Sequence, residues 1–167
     1  MEKVVKGRVW KYGDDVNTDV IFPGKYTYTV NDPAEMGEHA MEDLDPEFAS
    51  KVQPGDVIIA GKNFGCGSSR EQAAVCLKVK GVGAIIAPSF SRIYFRNGVN
   101  TGLPLITSKV VQDKFETGDE IEIDFDKGVI RGVKGEWNFP AFSEFVFGIM
   151  DAGGLIPYTR KRLGIEA

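Results

Sequence analysis

The sequence predicts a single α/β domain, spanning residues 1–167, with helices on both faces of a mixed sheet. Three features carry that expectation. The centre reads as strand, glycine-rich loop, helix and strand in succession. A strictly alternating stretch further on reads as a hairpin with one solvated face. The chain has 167 residues with 43% apolar side chains, enough for one core, and shows no repeat, low-complexity tract or linker that would divide it.

Taken in order, Gly7-Arg8-Val9-Trp10-Lys11-Tyr12 suggests an early strand. Between Phe22 and Pro54 lies a polar, turn-rich stretch, expected to combine a mobile loop with a helix around Ala34 to Met41. Pro54-Gly55 then opens Asp56-Val57-Ile58-Ile59-Ala60-Gly61, an apolar run of the kind found in strands buried on both faces. After Asn63-Phe64-Gly65-Cys66-Gly67 comes Ser68-Ser69-Arg70-Glu71, which has the Ser-x-x-Glu form of a capping box. It leads into a helix over Gln72 to Lys80, with Gly81 as its stop. Ala84-Ile85-Ile86-Ala87 is the second buried strand, and Ser89 to Gly98 reads as a short amphipathic helix closed by Gly98. Leu103 to Thr107 supplies another strand. Glu120 to Phe125, a turn at Asp126-Lys127-Gly128 and Val129 to Val133 form the hairpin, and Phe142 to Met150 is a helix ending at Gly153-Gly154.

Composition removes several function classes. No apolar run approaches the ~20 residues of a membrane helix, and the charged start Met1-Glu2-Lys3 lacks the apolar core of a secretory signal, so a cytoplasmic protein without a membrane partner is expected. Cys66 and Cys76 give neither a disulfide framework nor a four-ligand metal site, and His39 is the only histidine. The chain is therefore expected to bind no metal or cofactor of its own. Lys62 to Asn100 holds six basic residues and the single acid Glu71, a net +5 within a chain of net −4. An anionic small molecule suits that stretch. Nucleic acid does not, because the cations form no run and the sequence pI is about 5.1.

The most informative residues are Asn63-Phe64-Gly65-Cys66-Gly67-Ser68-Ser69-Arg70-Glu71. Glycines permit close backbone approach to a ligand, a helix start offers free N–H groups, and Arg70 offers a planar fork for a carboxylate. A plainer reading fits the same residues, with Ser68 as helix cap, Arg70 solvated and the glycines in a tight turn. Neither the P-loop nor the dinucleotide fingerprint is matched. Cys66 could be a nucleophile activated by the helix start and Arg70, but it has no nearby histidine in sequence. Cys76 reads as packing, and His39 as exposed. Arg92 and Arg96, one turn apart, could equally brace the loop, line an interface or touch substrate. Phe142, Phe145, Val146 and Ile149 have helical spacing and read as core or as an interface patch.

Two central blocks, Gly65 to Glu71 and Ser89-Phe90-Ser91-Arg92-Ile93, together with Asn17-Thr18-Asp19-Val20-Ile21-Phe22-Pro23, closely resemble the swivelling domain of the aconitase family in its stand-alone, small-subunit form. The resemblance spans about Gly7 to Pro104. It implies an aconitase-type swivelling domain and a hydro-lyase active only with a large subunit, whose four-iron, four-sulfur cluster binds the substrate hydroxyl. By position it makes Ser68 the catalytic base, Ser69 and Arg70 substrate contacts, and Thr18 and Asp19 residues bordering the site. The expected reaction is the interconversion of 2- and 3-isopropylmalate in leucine biosynthesis by dehydration and rehydration. The alternatives are a homoaconitate or methylmalate-type acid, or a non-catalytic anion-binding module.

Two details of the resemblance bear on substrate. Aconitase itself has a serine three positions after the aspartate, where this chain has Phe22, which speaks against citrate. The loop after the Asn-Thr-Asp block reaches over the substrate's variable group in the family, and here it is Lys25-Tyr26-Thr27-Tyr28-Thr29. Relatives that take a third carboxylate tend to place arginine where Tyr28 stands. Tyr28 is uncharged and suits an isopropyl or methyl group, while Lys25 could serve a third carboxylate if turned inward.

Overall fold

Alternation of short apolar runs with amphipathic segments resolves, in the computed structural model of residues 2–165, into one seven-stranded mixed sheet with helices packed on it. The strands are β1 (Val4–Lys11), β2 (Val57–Ile59), β3 (Ala84–Ala87), β4 (Leu105–Thr107), β5 (Glu120–Asp124), β6 (Val129–Gly132) and β7 (Gly135–Asn138). Their order is β4-β3-β2-β1-β5-β6-β7. β1 to β4 are parallel, and β5 joins β1 antiparallel to begin a meander through β6 and β7.

Burial on the two faces explains the two sequence patterns. Ile58, Ile85 and Ala87 enter one apolar cluster, whereas Val57, Ile59, Ala84 and Ile86 enter the other. β2 and β3 are therefore buried at every position, which is why they read as unbroken apolar runs. In β5 the apolar face is covered, with Ile121 and Ile123 buried, while the other face opens from buried Asp124 through half-buried Glu122 to exposed Glu120. On that open face Glu122 pairs with Lys6 at 3.3 Å and Arg131 at 2.9 Å, and Arg131 also reaches Glu136 at 3.0 Å.

Seven α-helices appear among the described residues: α1 (Thr18–Ile21), α2 (Pro33–Glu38), α3 (Phe48–Lys51), α4 (Gln72–Val79), α5 (Arg92–Thr101), α6 (Glu144–Ala152) and α7 (Leu155–Arg162). Among the described residues no helix is long and apolar enough to cross a membrane.

Three helical expectations change. α4 begins at Gln72, and Glu71 at its cap makes no side-chain bond, so Ser68 is not a capping residue. Gly67, with φ of +107°, turns the chain ahead of Ser68 and delays the helix. α5 is capped by Ser91 and continues through Gly98 to Gly102, whose left-handed backbone closes it. Gly98 sits inside the helix because Leu105 of β4 lies against it, only 2.5 Å from where a Cβ would stand. The polar stretch after Phe22 is more ordered than its composition suggests: α1, a 3-10 turn at Gly24–Tyr26, α2 and α3 occupy the region around it, and α2 ends at Glu38.

Candidate active site

Three segments that are distant in sequence leave the sheet at the carboxyl ends of the parallel strands β1, β2 and β3, the edge at which open α/β sheets place ligand sites. They are the stretch to Asn17-Thr18-Asp19, the glycine-rich loop, and Ser89 to Ser91. Backbone pairing draws them together. Gly65 N–H donates to the Val16 carbonyl at 2.7 Å, and Thr18 N–H to the Cys66 carbonyl at 2.8 Å. On the other side, Phe64 N–H donates to Ser89 and Ser91 N–H to Phe64. The glycine-rich loop is thus an extended segment held between two walls.

Local chemistry fixes each wall. Asn17 caps α1, its Oδ1 accepting from Asp19 N–H at 2.8 Å and Val20 N–H at 3.2 Å, which places Thr18 at the start of the helix with 1% exposure. Ser91 caps α5 by accepting from Tyr94 N–H at 3.2 Å, and the same hydroxyl donates to the Gly65 carbonyl at 2.8 Å. Tyr94 lies against Gly65 so closely that a Cβ there would stand 2.1 Å from the ring, and Gly65 has φ of +80°. The Tyr94 hydroxyl then donates to the Ala73 carbonyl in α4.

Within this frame the sequence candidates converge on Ser68. Thr18 Oγ1 accepts from Ser68 N–H at 3.0 Å and shares a hydrogen with Ser68 Oγ at 3.1 Å. Arg70 Nε donates to Ser68 Oγ at 2.7 Å. The remaining edges of the guanidinium are also engaged, NH1 with Thr27 Oγ1 at 3.0 Å and NH2 with the Asp19 carboxylate. The Arg70 side chain is 13% exposed, whereas that of Asp19 is 71% exposed. Ser68 and Ser69 are exposed. The arrangement is a hydroxyl facing solvent with an arginine on one side and a second hydroxyl on the other.

The loop Lys25 to Thr29 joins this site unevenly. Thr27 is held twice, by Arg70 and by Gln72 Nε2, which donates to its carbonyl at 2.9 Å. Tyr28 projects into solvent at 92% exposure. Lys25 turns toward Glu42, with its Nζ 3.8 Å from the carboxylate and 5.1 Å from the centre of the Tyr26 ring. His39, expected to be exposed, is half-buried: it stacks on Tyr26 at 3.8 Å between ring centroids and bonds Glu42 at 3.0 Å.

Residues outside the sequence reading also brace the site. Asn97 Nδ2 donates to the Ser69 carbonyl at 3.1 Å, one face of α5 presenting Ser91, Tyr94 and Asn97 at three-residue intervals. That spacing was available as a signal. Arg92 and Arg96 are exposed on the same helix, while Phe145 is also exposed and Ile149 is buried. Cys76 is buried, its thiol directed at the carbonyls of Ile21 and Ala73, and burial pushes its ionisation well above the usual thiol range. Among the described residues no group of three or more His, Cys, Asp or Glu side chains could hold a metal ion. With Cys76 sealed in the core, the cysteine pair does not fit an iron–sulfur cluster.

Residues 15–109 match the family described as the aconitase C-terminal domain. The chain is 48% identical over 164 residues to a 3-isopropylmalate dehydratase small subunit of Thermodesulfovibrio yellowstonii, covering 97% of each. It is 45% identical over 170 residues to the isopropylmalate/citramalate isomerase small subunit of Methanocaldococcus jannaschii, covering 98% of each. The crystal structure of 3-isopropylmalate dehydratase from that organism superposes with a TM-score of 0.89 at 44% identity, covering 96% of this chain and 95% of that one. An aconitase X of Thermococcus kodakaraensis shares the fold at a TM-score of 0.51 and 18% identity, covering 82% of this chain and 90% of that one.

Proposed function

The chain belongs to the aconitase C-terminal-domain family, among the small subunits of 3-isopropylmalate dehydratase, and from that premise we propose how its residues serve a two-subunit hydro-lyase interconverting 2- and 3-isopropylmalate. Ser68 is the base that removes the proton beside a substrate carboxylate. Arg70 grips that carboxylate and steadies the serine oxygen. Thr18 and Asp19 border the site, and Ser69 contacts substrate. The iron–sulfur cluster, which supplies Lewis-acid chemistry at the substrate hydroxyl, resides in the large subunit.

One observation carries the reading: Ser68 Oγ is released from helix capping and receives the Arg70 Nε–H at 2.7 Å, with Thr18 Oγ1 at 3.1 Å. A serine hydroxyl is a weak base near neutral pH, so its deprotonated form needs donors already in place. Arg70 is one such donor. Thr18 is the second, since its Oγ1 already accepts the Ser68 N–H and can turn its own proton toward the serine oxygen. Water exclusion on closure against the large subunit strengthens both interactions.

A methyl-bearing acid is a second substrate class with specific support. The Methanocaldococcus relative is named for both isopropylmalate and citramalate, and the loop here presents uncharged Tyr28 while Lys25 is turned to Glu42. Neither side chain offers a ready partner for a third carboxylate.

The test is turnover of the enzyme reconstituted with its large subunit. Ser68→Ala should lower kcat by roughly a hundredfold or more, the range associated with losing a general base. Its melting temperature should stay close to that of the parent, because Ser68 caps no helix. Near-normal kcat would overturn the assignment of Ser68.

A further inference from the structure

Glu42 lies on the turn after α2, outside every motif that pointed to the site, and its carboxylate gathers contacts from two consecutive residues of the loop at Lys25 to Thr29. The Tyr26 hydroxyl donates to Oε2 at 3.0 Å, and Lys25 Nζ approaches the same oxygen at 3.8 Å. His39 Nδ1 bonds Oε1 at 3.0 Å, and its ring stacks on Tyr26 with an interplanar angle of 23°. These neighbours hold the Glu42 carboxyl below the usual glutamate range, the His39 bond being the largest cause.

The base beneath this cluster is rigid. Ala40 and Met41 are fully buried, and Met41 N–H donates to the Ile21 carbonyl at the end of α1 at 2.8 Å. Both ends of the loop are equally fixed, Phe22 and Val30 being buried at 0% and 3% exposure. Between them Gly24, Lys25, Tyr28 and Thr29 are exposed; backbone turn bonds from the Tyr26, Thr27, Thr29 and Val30 amides and the contact of the Tyr26 ring with Phe22 shape the segment, and side-chain ties fasten it to the elements on either side. Arg70 and Gln72 hold Thr27 from the α4 side, and Glu42 holds Tyr26 and Lys25 from the α2 side.

We propose that Glu42, oriented by His39, is a positioning residue for substrate selection: it clamps Tyr26 and diverts Lys25, and so sets where Tyr28 is presented to the variable group of the acid. The inference rests on the hydro-lyase reading for its substrate, while the clamp itself is a property of the free chain. A side chain such as Tyr28, which meets substrate only from an exposed loop, can discriminate between alkyl groups only if that loop has one defined path. Glu42 supplies that definition without touching the acid.

Two measurements test it. In the free chain, Glu42→Ala should speed hydrogen exchange of the Thr27, Thr29 and Val30 amides by about tenfold while leaving the β2 and β3 amides unchanged. In the reconstituted enzyme, Glu42→Ala should change the ratio of kcat/KM for 3-isopropylmalate over a methyl-substituted malate by about fivefold or more, mainly through KM. Glu42→Gln should restore most of the wild-type ratio, because its amide oxygen still accepts the Tyr26 hydroxyl. Unchanged loop exchange, or an unchanged substrate ratio in an active enzyme, overturns the proposal. A wild-type reconstituted enzyme that turns over neither acid overturns the hydro-lyase reading instead, and the exchange result still decides the clamp.

Discussion

Arg70 concentrates the chemistry of the site in one planar group. Its three nitrogens serve three separate acceptors, Ser68 Oγ, Thr27 Oγ1 and the Asp19 carboxylate, and lysine offers a single ammonium that cannot reproduce that fork. Under the roles proposed above, Arg70→Lys should therefore lower kcat/KM of the reconstituted enzyme by at least about tenfold through both parameters, since the bond to Ser68 and the proposed grip on substrate would be lost together. Steady-state kinetics check this, and an effect on KM alone would show that Arg70 does not support the base. The importance of Arg70 was legible in the sequence as a fork beside glycines. Its partners were not, because Asp19 and Thr27 lie 51 and 43 positions away and only folding brings them near. Ser68 shows the opposite difficulty. The Ser-x-x-Glu spacing is a genuine local signal for a cap, and it was overridden by the left-handed backbone at Gly67, which keeps residues 68–70 out of the helix.

At the scale of elements, the site depends on how helix ends are finished. Ser91 caps α5 and also holds the Gly65 carbonyl, so one hydroxyl sets both a helix start and the path of the glycine-rich loop. Ser91→Ala should cost about 1–2 kcal/mol of stability, as cap deletions do, and should lower turnover because the loop loses its tether. Denaturant melts beside kinetics separate the two effects, and a stability loss with full activity would mean the loop is held without Ser91. Strands that alternate or run continuously apolar were readable because their burial period is local. β7 and α7 were not: β7, Gly135–Asn138, is largely exposed, and α7 buries no residue, so neither carries an apolar pattern to read. The open face of β5 and β6 yields a pH expectation. Bonds from Arg131 first, then Lys6, hold the Glu122 carboxyl below the ordinary value of 4.5. Its contribution is fully present above that value and is lost as pH falls through the lowered one. The melting-temperature difference between wild type and Glu122→Gln should accordingly be constant near neutrality and shrink under acid. A difference that grows on acidification would contradict the pairing.

Across the whole molecule, the parallel half and the antiparallel half are used differently. Every candidate residue, from Thr18 to Arg70, lies beyond the carboxyl ends of β1 and β2 or beside them, and β5 to β7 with α6 and α7 carry none. The positive stretch Lys62 to Asn100 coincides with that active edge, which suits an anionic substrate. Yet Ser68 and Ser69 are exposed, Tyr28 reaches into solvent, and Arg70 is already satisfied by Asp19, Thr27 and Ser68. An incoming carboxylate must displace Asp19 from the guanidinium and still compete with water, so little net free energy is gained by binding to the free chain. Calorimetric titration of the isolated subunit with 3-isopropylmalate should accordingly show a Kd weaker than about 1 mM, equivalent to less than about 4 kcal/mol of binding free energy. In the two-subunit reading proposed above, adding the large subunit should tighten binding by at least about tenfold, because closure would supply the missing wall and remove the water. Micromolar binding by the isolated chain would mean that the edge of the sheet is a complete site without its partner, and the requirement for closure would fall.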